Sequence, residues 1–282
     1  MRFLFLIISF SLPLWSVAQT VCSAESSERL DAMLTKLAQQ DFTQSSIQET
    51  VIEIGKDFLN TPYVEKTLEV AGDEPLVVNL VGLDCTTYLE SIVTLSRLAK
   101  LGRLTRADYE KELEFLRYRD GKRAAYPSRL HYFSDWIYDN QQKGVLQDIT
   151  QEIGGVPYPN APSFMSKHPQ YYPQLANKAF IPQIQESEVE IKARSYHYIP
   201  QASVQKLEHN IQSGDLIAIT ISMNNLDISH VGIAVKQNGR IHLMHASSSA
   251  KKVVISTKPL SAYLMGNKSQ TGIMVCRLQD PE

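Results

Sequence analysis

Three side chains in this sequence have the types that nucleophilic acyl chemistry needs: Cys85, His230 and His245. A thiol attacks a carbonyl carbon when a base within hydrogen-bond reach takes its proton. That base works best when a third polar group fixes its tautomer. Cys85 stands in the run Gly82-Leu83-Asp84-Cys85-Thr86-Thr87-Tyr88, behind an apolar stretch of Leu76, Val77, Val78, Leu80 and Val81. Asp84 is a helix-capping type, and Leu89, Ile92, Val93, Leu95 and Ala99 follow at helical spacing until Gly102. The pattern predicts a buried helix with a thiol in its first turn, where the positive end of the helix dipole favours thiolate. On that reading Cys85 reacts with iodoacetamide well below about pH 8. A lone cysteine is equally a small buried hydrophobe, and this stretch alone leaves both readings open.

The histidines stand at 131, 168, 197, 209, 230, 242 and 245, and strand register separates them. Asn238-Gly239 is the strongest hairpin signal in the chain. A two-residue turn there sets residue 237 opposite 240 and, counting back, 232 opposite His245. His230 then lies two residues along on the same face, a diagonal of about 7–8 Å at the backbone. His242 opposes Val235 and turns to the other face. Register thus nominates His230 with His245 and demotes His242, although either ring could simply pack in a sheet. Zinc is the competing use of cysteine and histidine, but no close Cys-x-x-Cys or His-x-x-x-His pair occurs. The reading assigns no metal and no cofactor.

The elements that must hold these groups can be read in order. Residues 1–18 have the plan of a signal peptide: Arg2, an apolar core from Phe3 to Leu14, and small residues at Ser16-Val17-Ala18. Residues 19–282 then read as one catalytic domain. A helical lead occupies 19–62, with helices from Ser26 to Gln40 and Thr43 to Leu59. The nucleophile helix region spans 63–102, an insertion 103–210, and a catalytic sheet 211–282. Within the insertion, Asp108 to Arg119 and Arg129 to Gln142 read as helices and Val145 to Ile153 as a strand. From Gly154 to Pro182, the prolines and tyrosines (Tyr171 and Tyr172 among them) predict an irregular segment that walls a groove. Strands follow at 215–221, 229–235, 240–247, 252–256 and 272–277. The fold class is α+β, with the nucleophile helix packed on an antiparallel sheet.

Composition narrows the partners. A formal charge of −2 with scattered basic residues argues against nucleic acid or anionic membrane. After residue 18 no further apolar run is long enough for stable membrane insertion, so the mature chain is expected to be exported and soluble; a monomer in the periplasm or cell envelope is a separate expectation. Three cysteines are too few for a disulfide framework; if Cys22 paired with Cys276, Cys85 would remain the free thiol.

These motifs resemble a known family. Asp84-Cys85-Thr86-Thr87-Tyr88 is similar to the nucleophile motif of the NlpC-like cell-wall hydrolases, which are papain-like cysteine peptidases. Ser229-His230-Val231-Gly232-Ile233 resembles their base strand, and Met244-His245-Ala246-Ser247 the strand of their third polar residue. Ser213-Gly214-Asp215-Leu216-Ile217 is similar to the entry to their sheet, and Thr61-Pro62-Tyr63 to the tyrosine segment before their cysteine. The block Ser128-Arg129-Leu130-His131-Tyr132-Phe133-Ser134-Asp135-Trp136 and the lead Leu226-Asp227-Ile228 resemble one branch, long catalogued as a domain of unknown function. That branch includes N-acetylmuramoyl-L-alanine amidases acting on anhydro-muropeptides.

The resemblance implies a papain-like fold, with peptidoglycan fragments as substrates cut between the lactyl group of N-acetylmuramic acid and L-alanine. It implies Cys85 as nucleophile, His230 as base and His245 as its orienting partner. The backbone N–H of Cys85, with the Tyr63 hydroxyl, would meet the oxyanion. Asp84, Ser128, Arg129, Asp227 and Ser229 would join Tyr63 along the substrate groove. Arg129 could grip a stem-peptide carboxylate or pair with an acidic neighbour, and Asp227 could shape the turn before His230. The alternatives are a D-glutamyl-diamino-acid endopeptidase, a non-catalytic muropeptide-binding protein, and a papain-type protease of ordinary proteins.

Overall fold

The C-terminal half of the sequence is built to be buried on both faces. In β6 (Leu216–Ile221), Leu216 and Ala218 enter one core while Ile217 and Ile219 enter another. The same alternation runs through β10 (Gln270–Leu278), where Met274 and Cys276 oppose Ile273 and Val275. Period-two side chains of this kind need a layer on each side. A computed structural model describes residues 20–282, so the expected signal peptide lies outside the described residues.

The N-terminal part supplies one layer. β1 (Thr20–Cys22) pairs in parallel with β2 (Leu76–Val78). Helices α1 (Ala24–Leu37), α2 (Ile47–Lys56), α3 (Cys85–Leu101) and α4 (Arg106–Arg117) carry apolar faces into the larger core. α3 lies at its centre and is buried from Thr87 to Ala99. Truncating a core residue there, such as Ile92 or Leu95, to Ala is worth about 2–5 kcal/mol. The charges that α3 carries inward are matched by α4, through Glu90–Arg117 at 2.7 Å and Arg97–Glu112 at 2.6 Å.

The intervening segment folds into α5 (Phe133–Gln142), β3 (Leu146–Asp148), β4 (Val156–Tyr158), α6 (Phe164–Lys167), α7 (Phe180–Ala193), β5 (Tyr196–Pro200) and α8 (Val204–Leu207). β7 (Ile228–Gln237), β8 (Arg240–Ser247) and β9 (Lys252–Ile255) follow, and α9 (Leu260–Met265) precedes β10. The sheet order is β4-β5-β10-β6-β7-β8-β9, with β3 also on β10, and every pairing is antiparallel. α3 packs on the β7–β8 face, and α9 covers β8 from the other core. Among the described residues no helix is long and apolar enough to cross a membrane.

The structure changes several sequence expectations. α5 begins at Phe133 rather than Arg129, because Arg129 is extended and bridges Tyr118 across from it. The proline-rich stretch ends inside α7, with Pro182 in that helix's first turn, where its missing N–H costs nothing. All three cysteines are free: Cys22 sits in β1 and Cys276 is buried in β10. The Cys22–Cys276 disulfide is not formed.

Candidate active site

Asp84 and Thr87 build the start of α3. The Asp84 carboxylate accepts from the Thr87 N–H at 2.8 Å, and the Thr87 hydroxyl accepts from the Asp84 N–H at 3.0 Å. This reciprocal box makes Cys85 the first residue of the helix, and Gly102 ends it with φ 63°. The first-turn amides have no intrahelical acceptors, so the Cys85 N–H is available to an incoming oxygen.

The histidines come from the hairpin. Asn238 and Gly239 both have positive φ (51° and 79°), as a two-residue primed turn requires, and Gln237 pairs with Arg240. The register runs as expected back to Ile233↔Met244 and stops there, one pair short of 232 and 245. Beyond that point the Val231 N–H is turned to the Cys85 sulfur. Gly232 permits the arrangement. A Cβ there would sit 3.0 Å from the Cβ of His245 and 2.9 Å from the Met244 carbonyl oxygen. His230 Nε2 then lies 2.5 Å from His245 Nδ1, the rings nearly perpendicular at 86°. Tyr263 of α9 stacks edge-on against His245. His242 points elsewhere, onto the Ser256 carbonyl oxygen.

This contact constrains protons. Two ring nitrogens at hydrogen-bond distance share one proton, so one imidazole donates and the other accepts. When His230 donates from Nε2, its Nδ1 is left as the free lone pair, the atom able to take a thiol proton. Burial pushes His230 down to about 4 and His245 to about 3, the latter also by the neighbouring ring. Burial, then the Asp84 carboxylate, push the Cys85 thiol up from the usual 9.0 to about 12. The helix N-terminus works against this, but at up to about 2 kcal/mol it offsets roughly one and a half pH units. Burial therefore favours a thiol and neutral rings over the thiolate that the helix dipole alone predicts. Burial and then the nearby Cys85 and Asp84 charges lift the Tyr63 hydroxyl to about 12, so it remains a donor.

Cys85 and His230 line one cavity of about 350 Å³. Its far wall comes from the intervening segment: His131, Phe133, Met165, Tyr171 and Tyr172. Tyr171 and Tyr172, from the stretch read as a groove wall, thus line this cavity. His131 donates from Nε2 to the Tyr126 carbonyl at 2.9 Å, and burial then Arg129 hold it uncharged.

The expected groove residues fare differently. Arg129 lines the cavity, but its guanidinium is spent on Glu69 at 2.7 Å, Glu74 at 3.5 Å and the Leu68 carbonyl. Asp227 lines it too, yet its carboxylate accepts from the Ser134 N–H at 2.8 Å and so caps α5 from another loop. The Ser229 hydroxyl donates to the Ile219 carbonyl. Ser128 is not on the cavity wall; it closes its own turn with Ala124 and Ala125. Sequence reasoning missed Glu65, Lys66, Phe133 and Met165 on the wall, and Tyr263 beside His245. Glu65, Lys66 and Tyr263 belong to no local pattern that marks them, whereas Phe133 lies in the block at 128–136 and Met165 in the segment at 154–182. Among the described residues no group of three or more His, Cys, Asp or Glu converges as a metal site.

A profile described as N-acetylmuramoyl-L-alanine amidase-like matches residues 53–273. An N-acetylmuramoyl-L-alanine amidase from Bacteroides uniformis is 38% identical with a TM-score of 0.78, covering 83% of this chain and 99% of that one. A Bacteroides fragilis protein provisionally called a xylanase is also 38% identical, with a TM-score of 0.74, covering 80% and 99%. A Legionella pneumophila protein at 24% identity and a TM-score of 0.69, covering 91% and 96%, shares the fold. No curated protein matches. The chain belongs to the N-acetylmuramoyl-L-alanine amidase-like family and is a hydrolase acting on amide bonds.

Proposed function

We propose that this chain is an exported cysteine amidase of papain-like arrangement. It cleaves the bond between N-acetylmuramic acid, in its anhydro form, and L-alanine in peptidoglycan fragments. One observation carries the proposal: the 2.5 Å His230–His245 contact, on the cavity that Cys85 shares with His230. In the first step the Cys85 sulfur bonds to the lactyl carbonyl carbon while its proton passes to His230 Nδ1. With a thiol near 12 and a ring near 4, a free thiolate–imidazolium pair is costly, so transfer and attack are coupled. The oxyanion is met by the Cys85 N–H and the Tyr63 hydroxyl. Collapse breaks the C–N bond, the amine takes the proton from His230, and a thioester remains. Water then attacks the thioester, giving its proton to His230, which returns it to the departing sulfur. One water is consumed, and one acid and one amine leave.

The name carried by the Bacteroides fragilis relative favours glycoside hydrolysis, which needs two free carboxylates facing the scissile bond. Glu69, Glu90, Asp84 and Asp227 on the cavity wall are all bound to protein partners. Only Glu65 among the wall carboxylates has no hydrogen bond or ion pair among the described residues, so a pair is lacking. Incubating the protein with a defined anhydro-disaccharide-tetrapeptide and weighing the products tests the proposal. Free tetrapeptide supports it; a released dipeptide would assign the endopeptidase reading, and no peptide release would refute hydrolysis of this substrate.

A further inference from the structure

His245 touches two cavities' worth of chemistry. Through Nδ1 it meets His230, whose ring lines the groove. It also lines a second cavity of about 260 Å³, which shares no wall residue with the first. His245 shares strand parity with Ile241 and Leu243, which face the core under α9, and it is only 1% exposed. Its Nδ1 is taken, so Nε2 is the polar atom the ring offers to this second cavity. Among the described residues nothing meets that atom.

The rest of the wall is sorted by what is already spent. The Ser256 hydroxyl donates to the Lys258 carbonyl and accepts from the Leu243 N–H. The Ser247 hydroxyl contacts Ser249 and accepts from the Ala250 N–H, and Tyr263 is engaged with Gln270. Among the described residues, what remains uncommitted on this wall is the Lys258 ammonium, the Thr257 hydroxyl and His245 Nε2. All three can donate, and one carries a positive charge. Such a set suits a small monoanion with acceptor oxygens.

Occupancy there would decide where the shared proton sits. If His245 keeps its proton on Nε2, its Nδ1 must accept, His230 must donate from Nε2, and His230 Nδ1 becomes the free base. If His245 instead carries its proton on Nδ1, His230 is protonated on Nδ1 and cannot take the thiol proton. An acceptor at Nε2 selects the first arrangement. We infer that the second cavity binds a carboxylate, held by Lys258 and His245 Nε2–H, which sets the tautomer of the histidine pair from behind. The inference rests on His230 as the base.

The test uses the resting protein labelled with ¹⁵N-histidine and titrated with sodium acetate at constant ionic strength. Acetate should shift the His245 ring nitrogens saturably towards the Nε2–H tautomer. Lys258→Ala, an exposed position that leaves the core intact, should weaken that binding about tenfold or more, the value of one charged hydrogen bond. A second arm places intact substrate on Cys85→Ala, once as the free acid and once as the peptide amide. A tautomer shift with the acid alone supports the inference with a substrate carboxylate as the source. No shift with either, alongside acetate binding, supports it with a free carboxylate. No saturable acetate shift at His245, or equal binding by Lys258→Ala, overturns it. Neither result depends on turnover, so the amidase reading stands or falls separately.

Discussion

Two groups of buried ionisable side chains meet at the same cavity and are built on opposite terms. Among the described residues around the cavity, most buried charges have a counter-charge; Asp227 instead accepts from the Ser134 N–H. Arg129 sits between Glu69 and Glu74, and Arg117 holds Glu90 at 2.7 Å; away from the cavity, Asp135 likewise holds both Arg119 and Arg194 at 2.6 Å. At the proposed reacting centre, the two rings meet each other and Tyr263 among the described residues, and the thiol's hydrogen bonds come from Val231 and Thr86. Burying an ion unpaired costs several kcal/mol. The wall is therefore charged and fixed, and the centre is neutral and free to exchange a proton. A buried charge with its partner holds the fold; in the proposed mechanism the neutral thiol and the two rings do the chemistry.

The comparison can be broken most decisively at the centre. Cys85→Ala should lower turnover about 10⁴-fold or more with an unchanged melting curve, read by product mass. The wall predicts the reverse. Arg129→Ala should cost about 3–5 kcal/mol in denaturant unfolding, because Glu69 and Glu74 lose their partner. If that variant were equally stable and only KM rose, Arg129 would belong to the substrate site. Between these lies His245. Replacing it by Ala should reduce kcat about 10²-fold, and Asn, which can still accept from His230 Nε2–H, should restore much of it.

The smallest effects are pH profiles. Because burial raises the Cys85 thiol, its alkylation by iodoacetamide should be slower than that of an ordinary thiol and still climbing above about pH 9. A plateau below about pH 8 would restore the thiolate picture. Folded His230 and His245 bind protons only near 4 and 3, whereas unfolded histidine binds them near 6.5. The unfolded chain holds more protons within that window, so stability should fall as pH drops from 6.5 towards 4. Urea midpoints against pH read this directly.

Most of what positions the centre was legible in sequence because it is local. Asp84 and Gly102 bracket α3, and Asn238-Gly239 sets the register that brings His230 to His245 while turning His242 away. What was not legible depends on segments far apart in the chain. Asp227 caps α5 across 93 residues, and Arg129 is claimed by glutamates some 60 residues earlier. Glu65 and Lys66 join the wall only once the intervening segment has folded over them. The sign of the Cys85 shift was missed for a related reason. Helix polarity can be read from a capping residue, whereas desolvation depends on everything that packs around the sulfur.

The central claim is that the Cys85 sulfur becomes covalently bonded to the substrate. Turnover of an anhydro-disaccharide-tetrapeptide, quenched in acid and followed by peptide mapping, measures this directly. The account predicts the muramyl acyl group on the peptide containing Cys85, and its absence together with turnover in Cys85→Ala. An acyl group on another residue, or undiminished hydrolysis by Cys85→Ala, would contradict it.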